Sequence, residues 1–228
     1  LDPLILLDQA VAQEKIPRAM AKKVRLRMKY VVGAVQRVEK ASGLRYPPYY
    51  IEPVLPVSKG GGDYGQLGVL FARVIPTTMT GSVVILVQLT AALVAFGTKG
   101  TIEAVVAHEF THYVDLVRKL TTTNVTTDEV ATTLYEASFA DAGRTVPPRL
   151  LFSEKSLVSL ISRKFKENLS DQALNKKVGD SWIAKNLPIR WVGPEENRVK
   201  LAMKVVSVTR FDPAVVSRVG ELQEKIRR

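Results

Sequence analysis

The stretch Thr101-Ile102-Glu103-Ala104-Val105-Val106-Ala107-His108-Glu109-Phe110-Thr111-His112-Tyr113-Val114-Asp115-Leu116-Val117-Arg118-Lys119-Leu120 decides how this chain is read. Ile102, Val105, Val106, Val114, Val117 and Leu120 supply enough apolar surface to bury much of one helix. Thr98, Gly100 and Thr101 provide the breaker and cap chemistry of its start, and Glu103 puts an acid in the first turn. Arg118 and Lys119 place positive charge in the last turn, the sign that the helix dipole favours there.

The chain has two histidines, and both lie in His108-Glu109-Phe110-Thr111-His112. Positions i and i+4 sit one above the other on a helix face, so both imidazoles can grip one metal ion. Glu109, beside the first of them, can serve as base toward water at that ion. Polar groups on so apolar a helix need a partner to offset their burial, and Zn2+ supplies one. The competing reading is a helix whose histidines are surface or core residues without a metal.

A catalytic zinc site usually takes three protein ligands and leaves a fourth position open. With no third histidine and no cysteine, the remaining donors are carboxylates: Asp115, Asp128, Glu129, Glu136 and Asp141. Asp115 is three residues past His112 on the same helix, where it would reach the ion awkwardly. An orienting hydrogen bond to a histidine suits it better. Thr121-Thr122-Thr123-Asn124-Val125 breaks the helix, and Thr126-Thr127-Asp128-Glu129 has the form of a capping box opening a second helix through about Gly143. A short link makes the two helices antiparallel neighbours. Residue 112 then lies level with about residue 135, and residue 108 with about residue 139. That geometry selects Glu136 as third ligand, with Asp141 a further carboxylate able to orient His108.

The HExxH helix followed by a glutamate on a second helix resembles the gluzincin group of zinc metallopeptidases, which includes the thermolysin-like families. The resemblance spans about residues 80–143 and implies a zincin-like domain. His108, His112 and Glu136 would be zinc ligands, and Glu109 the general base for hydrolysing internal peptide bonds. The chain departs from the pattern in three ways. The E-x-x-x-D pair appears as Glu136 and Asp141, one residue longer. The gap from His112 to Glu136 is also longer. No further histidine can serve the oxyanion, so that donor is unassigned, with Tyr113 and Tyr135 the nearby phenols. Metzincins are excluded, because Asp115 and Arg118 stand where their glycine and third histidine belong.

Composition bounds the alternatives. At 46% hydrophobic and 24% charged, the 228-residue chain reads as globular and can bury a substantial core. It has no cysteine, which removes disulfide-linked partners and thiolate ligands. Leu4-Ile5-Leu6-Leu7 is too short for a signal-peptide core, and Val83–Val94, the most apolar run, is too short to span a membrane. A soluble, cytoplasmic protein is favoured, with a secreted or anchored form left open. The formal charge is +11. Lys22, Lys23, Arg25, Arg27 and Lys29 crowd one region, and Lys155, Arg163, Lys164, Lys166, Lys176 and Lys177 another. Such an excess suits an anionic partner, although a solvated basic face is the plainer reading.

Along the chain, residues 8–42 read as helical with a break at Pro17, Met20, Val24, Met28, Val31, Val32, Val35 and Val38 forming the apolar stripe. Residues 46–66 read as a proline- and glycine-rich loop. Gly68–Ile75 and Ser82–Leu89 read as neighbouring antiparallel strands, and the resemblance to zincins implies that Ser82–Leu89 or its neighbour would hold an extended substrate as an added strand. Leu150–Asn168 reads as a helix, and Asp212-Pro213 opens a last one. The whole suggests an α+β fold: an N-terminal helical segment (1–45), a zincin-like core (46–145) with a small antiparallel or mixed sheet, and a mainly helical C-terminal segment (146–228). Two other functions fit the same residues. One is a latent or scaffold protein in which zinc only ties helices together. The other is a basic nucleic-acid or membrane-surface binding protein whose HExxH is incidental.

Overall fold

Thr98 starts the central helix: its Oγ1 accepts from the Thr101 N–H at 3.0 Å, and its carbonyl accepts from the Ile102 N–H. The computed structural model describes residues 2–59, 67–122, 146–165, 169–192, 201 and 203–227. Within it, helix α4 runs from Lys99 to Thr122. It is buried on nearly all sides, from Ile102 through Phe110 and Val114 to Leu120. Four elements pack on it closely. These are α2 (Arg18–Ser42), β4 (Ala72–Met79), α6 (Lys155–Lys164) and α9 (Pro213–Arg227).

The N-terminal region follows its pattern. Helix α1 (Ile5–Ala12) stops before Pro17, whose ring lacks an N–H, and α2 ends at Gly43 in a left-handed conformation, φ 73°. The stripe on α2 differs in detail. Val24, Val31 and Val38 are buried, but Ala21, Ala34 and Ala41 complete the core face, and Val32 is 42% exposed. Val32 lies about 100° round the helix from Val31, so only one of the pair can face inward.

The stretch expected to be loop contains strands. β1 (Tyr49–Glu52) pairs parallel to β5 (Ser82–Thr90), which pairs antiparallel to β4, giving a mixed sheet in the order β1-β5-β4. β2 (Leu55–Lys59) lies between β3 (Leu67–Val69) and β6 (Ile189–Trp191) in a second sheet. Prolines 47, 48, 53 and 56 hid β1 and β2 in the sequence. The β4–β5 hairpin is tighter than its six-residue link implied. β4 continues through Pro76 to Met79, and the turn is Thr80-Gly81, both at positive φ. Pro76 is tolerated because β4 is an edge strand of this sheet. Gly68 and Val69 belong to β3, not to the strand that follows.

The expected helix 150–168 is broken. α5 (Pro148–Leu151) and α6 are separated where Ser153 turns aside, its N–H and Oγ both donating to the Ala41 carbonyl at 2.8 and 2.9 Å. The short helices α3 (Ala91–Phe96), α7 (Gln172–Val178) and α8 (Met203–Val208) and a π-helical turn at Gly179–Ile183 fill the remainder. Asp212 caps α9, its Oδ1 accepting from the Ala214 N–H at 2.9 Å, with Pro213 in the first turn. Among the described residues no helix is long and apolar enough to cross a membrane. The class is mixed α and β with small sheets and many helices.

Gly97, between α3 and α4, sits where a side chain has no room. A Cβ there would lie 2.7 Å from the Leu93 carbonyl oxygen and 3.3 Å from Ile102. Gly97→Ala is expected to lower stability by about 1–3 kcal/mol, the usual cost of overpacking. Denaturant melts check this, and a variant as stable as the wild type would contradict the tight approach of α3 to α4.

Candidate metal centre on the buried helix

One helical turn brings the two imidazoles together. Nε2 of His108 and Nε2 of His112 are 3.1 Å apart, with ring planes at 89°. Two nitrogens bound to a tetrahedral zinc ion at about 2.0–2.1 Å would lie roughly 3.3–3.4 Å from each other. The observed spacing is within a few tenths of an ångström of that chord, so the pair fits a shared metal ion with little adjustment.

The His108 ring is buried and the His112 ring half-buried. Burial pushes His108 down to about 3, with the neighbouring His112 adding to the effect. Burial takes His112 down to about 4, with Asp115 opposing the shift and Lys119 assisting it. Both imidazoles are therefore neutral at pH 7 and keep the lone pairs that a metal needs. Phe165, at the end of α6, stacks on His108 with ring centroids 3.9 Å apart and planes at 10°. Its neighbour Lys164 donates to Asp171 Oδ2 at 2.8 Å, and Thr101 of α4 donates to the same oxygen. That clamp fixes the end of α6 against α4.

Glu109 is 6% exposed, and burial alone raises its carboxyl to about 8. Tyr46, from the segment before β1, closes in nearby. Its ring stacks on Phe110 at 5.5 Å, its hydroxyl donates to the Val106 carbonyl at 2.9 Å, and the charge of Glu109 adds to the burial that raises its own pKa. A carboxyl with a pKa near neutral can take up and release a proton at working pH. A divalent cation beside it would favour the ionised form.

The other expected residues fall into three groups. Asp115 is buried, but Arg118 and Lys119 hold its oxygens at 2.7 and 2.8 Å. It acts on His112 through its charge, and its oxygens are taken up by those two cations rather than by a ring nitrogen. Tyr113 packs against Phe110 at 5.7 Å, and burial followed by the charge of Asp212 raises it to about 12, so it keeps its proton. Glu136 and Asp141 lie outside the described residues, as do Asp128, Glu129 and Tyr135. Among the described residues no three His, Cys, Asp or Glu side chains cluster as a metal site.

The substrate-edge expectation is narrowed. β5 is the central strand of its sheet, with β4 along one edge and β1 along part of the other. Beyond β1, the Val83 N–H donates to Thr209 Oγ1 at 2.7 Å, just after α8. Among the described residues the outer strands are β1 and β4, so of the expected pair, Ser82–Leu89 or its neighbour, only the neighbour β4 keeps a free edge for an added strand. Phe165 and Tyr46 were not foreseen, because neither carries a spacing signal relative to the histidines. No family model, curated protein or solved structure matches this chain.

These shifts set the pH response of the metal-free protein. The histidines titrate lower folded than unfolded, so their contribution is full above about 6.5 and is lost as pH falls toward 3–4. Glu109 titrates higher folded, so its contribution is full below about 4.5 and is lost as pH rises through 8. Glu109→Gln is expected to have a Tm advantage over wild type that is small at pH 4.5 and grows to a plateau above pH 8. Thermal melts in chelator across that range check it, and a difference independent of pH would contradict the buried, unpaired carboxyl.

Proposed function

We propose that this chain is a zinc-dependent metallopeptidase cutting internal peptide bonds. The observation that carries the reading is the convergence of the two Nε2 atoms at 3.1 Å, one residue from a buried carboxyl. His108 and His112 would hold the ion, with Glu136 as third ligand on the helix expected beyond residue 126. The zincin-like arrangement of the α+β fold belongs to the same proposal.

Bound zinc would acidify water and polarise the scissile carbonyl. Glu109 would take a proton from the attacking water and pass it to the departing amine, the work of a base with a pKa near neutral. Phe165 covers one face of His108, which fixes the ring and keeps bulk water off it. Burial holds both imidazoles in the neutral form through the cycle.

A zinc protein that only ties helices together is the rival with the same ligands. Structural zinc is usually closed by four protein ligands, and it gives a buried, unpaired carboxyl at Glu109 no task. The basic nucleic-acid or membrane-surface reading leaves the histidine geometry without a purpose. The purified protein is expected to hold one zinc ion per chain and to cleave unfolded casein. Glu109→Gln keeps the zinc and loses about 10²–10⁴ in rate, the share of general acid–base catalysis. Zinc retained with no cleavage in the wild type would instead favour the scaffold reading.

The third ligand has its own test. Glu136→Ala is expected to weaken zinc binding by at least about tenfold, measured by chelator competition beside His112→Ala. Undiminished affinity in Glu136→Ala would move that role to Asp141, Glu129 or Asp115.

A further inference from the structure

Lys177, from the second basic region of the sequence, joins Lys23 and Arg27 of the first at a cleft away from the histidines. Lys23 and Arg27 of α2, Lys99 of α4 and Lys177 of α7 line a cavity of about 440 Å³, together with Tyr30 and Ser181. It lies at the N-terminal end of α4, ten residues or about 15 Å along the axis from His108. Arg27 is fixed there, its Nε donating to the Val94 carbonyl at 2.7 Å and its other nitrogen to the Gly97 carbonyl. The Lys23 ammonium sits 4.1 Å from the centre of the Phe96 ring.

The charges in this cleft face each other. Burial, then Arg27, Lys177 and Lys185, all push the Lys23 ammonium down. No carboxylate of the described residues lines the cavity. Of the acids in the flanking turns, Glu103 is held chiefly by Arg37 at 2.7 Å and only reaches the cleft's own Lys99 at 3.7 Å, and Asp180 pairs with Lys176 at 3.3 Å. Cations gathered in a concavity repel one another, and a bound anion relieves that repulsion. The first turn of α4 adds partial positive charge from its amide end.

From this geometry we infer that the cleft between α2, α4 and α7 binds a small, multiply charged phosphate compound. The shape argues against larger partners. Duplex nucleic acid and membranes meet broad surfaces, whereas this cavity has the volume of a small-molecule site. The aromatic faces within reach are already covered, Phe96 by Lys23 and Tyr30 by Arg27 and Lys29. Recognition therefore rests on the phosphates and not on a stacked ring. Free pyrophosphate and a nucleoside diphosphate share that chemistry. The site is separate from the peptidase proposal and does not depend on it.

Calorimetric titration of the full chain with pyrophosphate, ADP and adenosine at physiological salt tests this. Pyrophosphate and ADP are expected to bind with saturable one-to-one stoichiometry, and adenosine not to bind. Pyrophosphate alone binding would identify free phosphates as the source, and tighter ADP binding a nucleotide. Lys23→Ala/Lys177→Ala is expected to weaken binding roughly tenfold or more, the scale of lost charged hydrogen bonds. Lys155→Ala/Arg163→Ala removes the same charge from exposed positions elsewhere and should leave the affinity within about twofold of wild type. Binding that persists in His112→Ala separates the cleft from any anion taken up at the histidines. Equal loss in both double variants, no saturable binding, or binding abolished only in His112→Ala would overturn the inference.

Discussion

The structure depends on hiding polar groups along one buried helix. α4 is the core of the molecule, yet Thr101, Glu103, His108, Glu109, Thr111 and Asp115 are all buried on it. Burying a polar group costs several kcal/mol unless something compensates for it. Four of these six find ordinary compensation. Thr101 donates to Asp171, and Thr111 donates to the His108 carbonyl. Glu103 receives Arg37, and Asp115 receives Arg118 and Lys119. The other two, Glu109 and His108 with only the His112 ring 3.1 Å from its Nε2, are accommodated by giving up their charge. The same helix thus treats its acids in two ways. Glu103 and Asp115 are paired with cations, while Glu109 has no cationic partner among the described residues.

Two polar clamps hold the surroundings of that helix in place. Arg37 joins three elements, donating to Glu103 on α4 and to Glu154 and Ser156 at the start of α6. The hydrogen bonds from Arg37 and Ser156 keep the Glu154 carboxyl down at about 2. Asp171 joins Lys164 at the end of α6 to Thr101 on α4 while capping α7 through the Leu174 N–H. Ion pairs of this kind contribute little net stability and more to fixing geometry. Here they pin both ends of α6, and Phe165 at its end is thereby held over His108.

What the sequence made legible was local. The start of α4 at Thr98, the cap at Asp212, the break at Pro17 and the histidine pair follow from chemistry within a few residues. The strands missed at 49–52 and 55–59 fail that test. Their prolines mimic loop composition, and β2 is stabilised by pairing with β6, more than a hundred residues away. Phe165 was invisible for the same reason, since its partner is set by the two clamps. The convergence of Lys23 and Arg27 with Lys177 also needed the fold. In the sequence these residues belong to two separate charge runs, each of which reads as a solvated face.

Charge balance gives an independent reason to expect a carboxylate as third ligand. Among the described residues, both imidazoles are uncharged, the Glu109 carboxyl, raised to about 8, is largely protonated at pH 7, and the buried Asp115 is paired with Arg118 and Lys119. Phe165 stacks on the His108 ring. A divalent cation placed there would bring two positive charges into a setting that stabilises neither. Ionisation of Glu109 would offset one of them. A second carboxylate would offset the other and restore neutrality, whereas a third neutral ligand would leave a net charge buried among aromatic rings. With no cysteine in the chain, a zinc ion held by the two histidines would need a carboxylate to satisfy both the ligand count and the charge. Glu136 is the one that an antiparallel second helix would set level with the histidines.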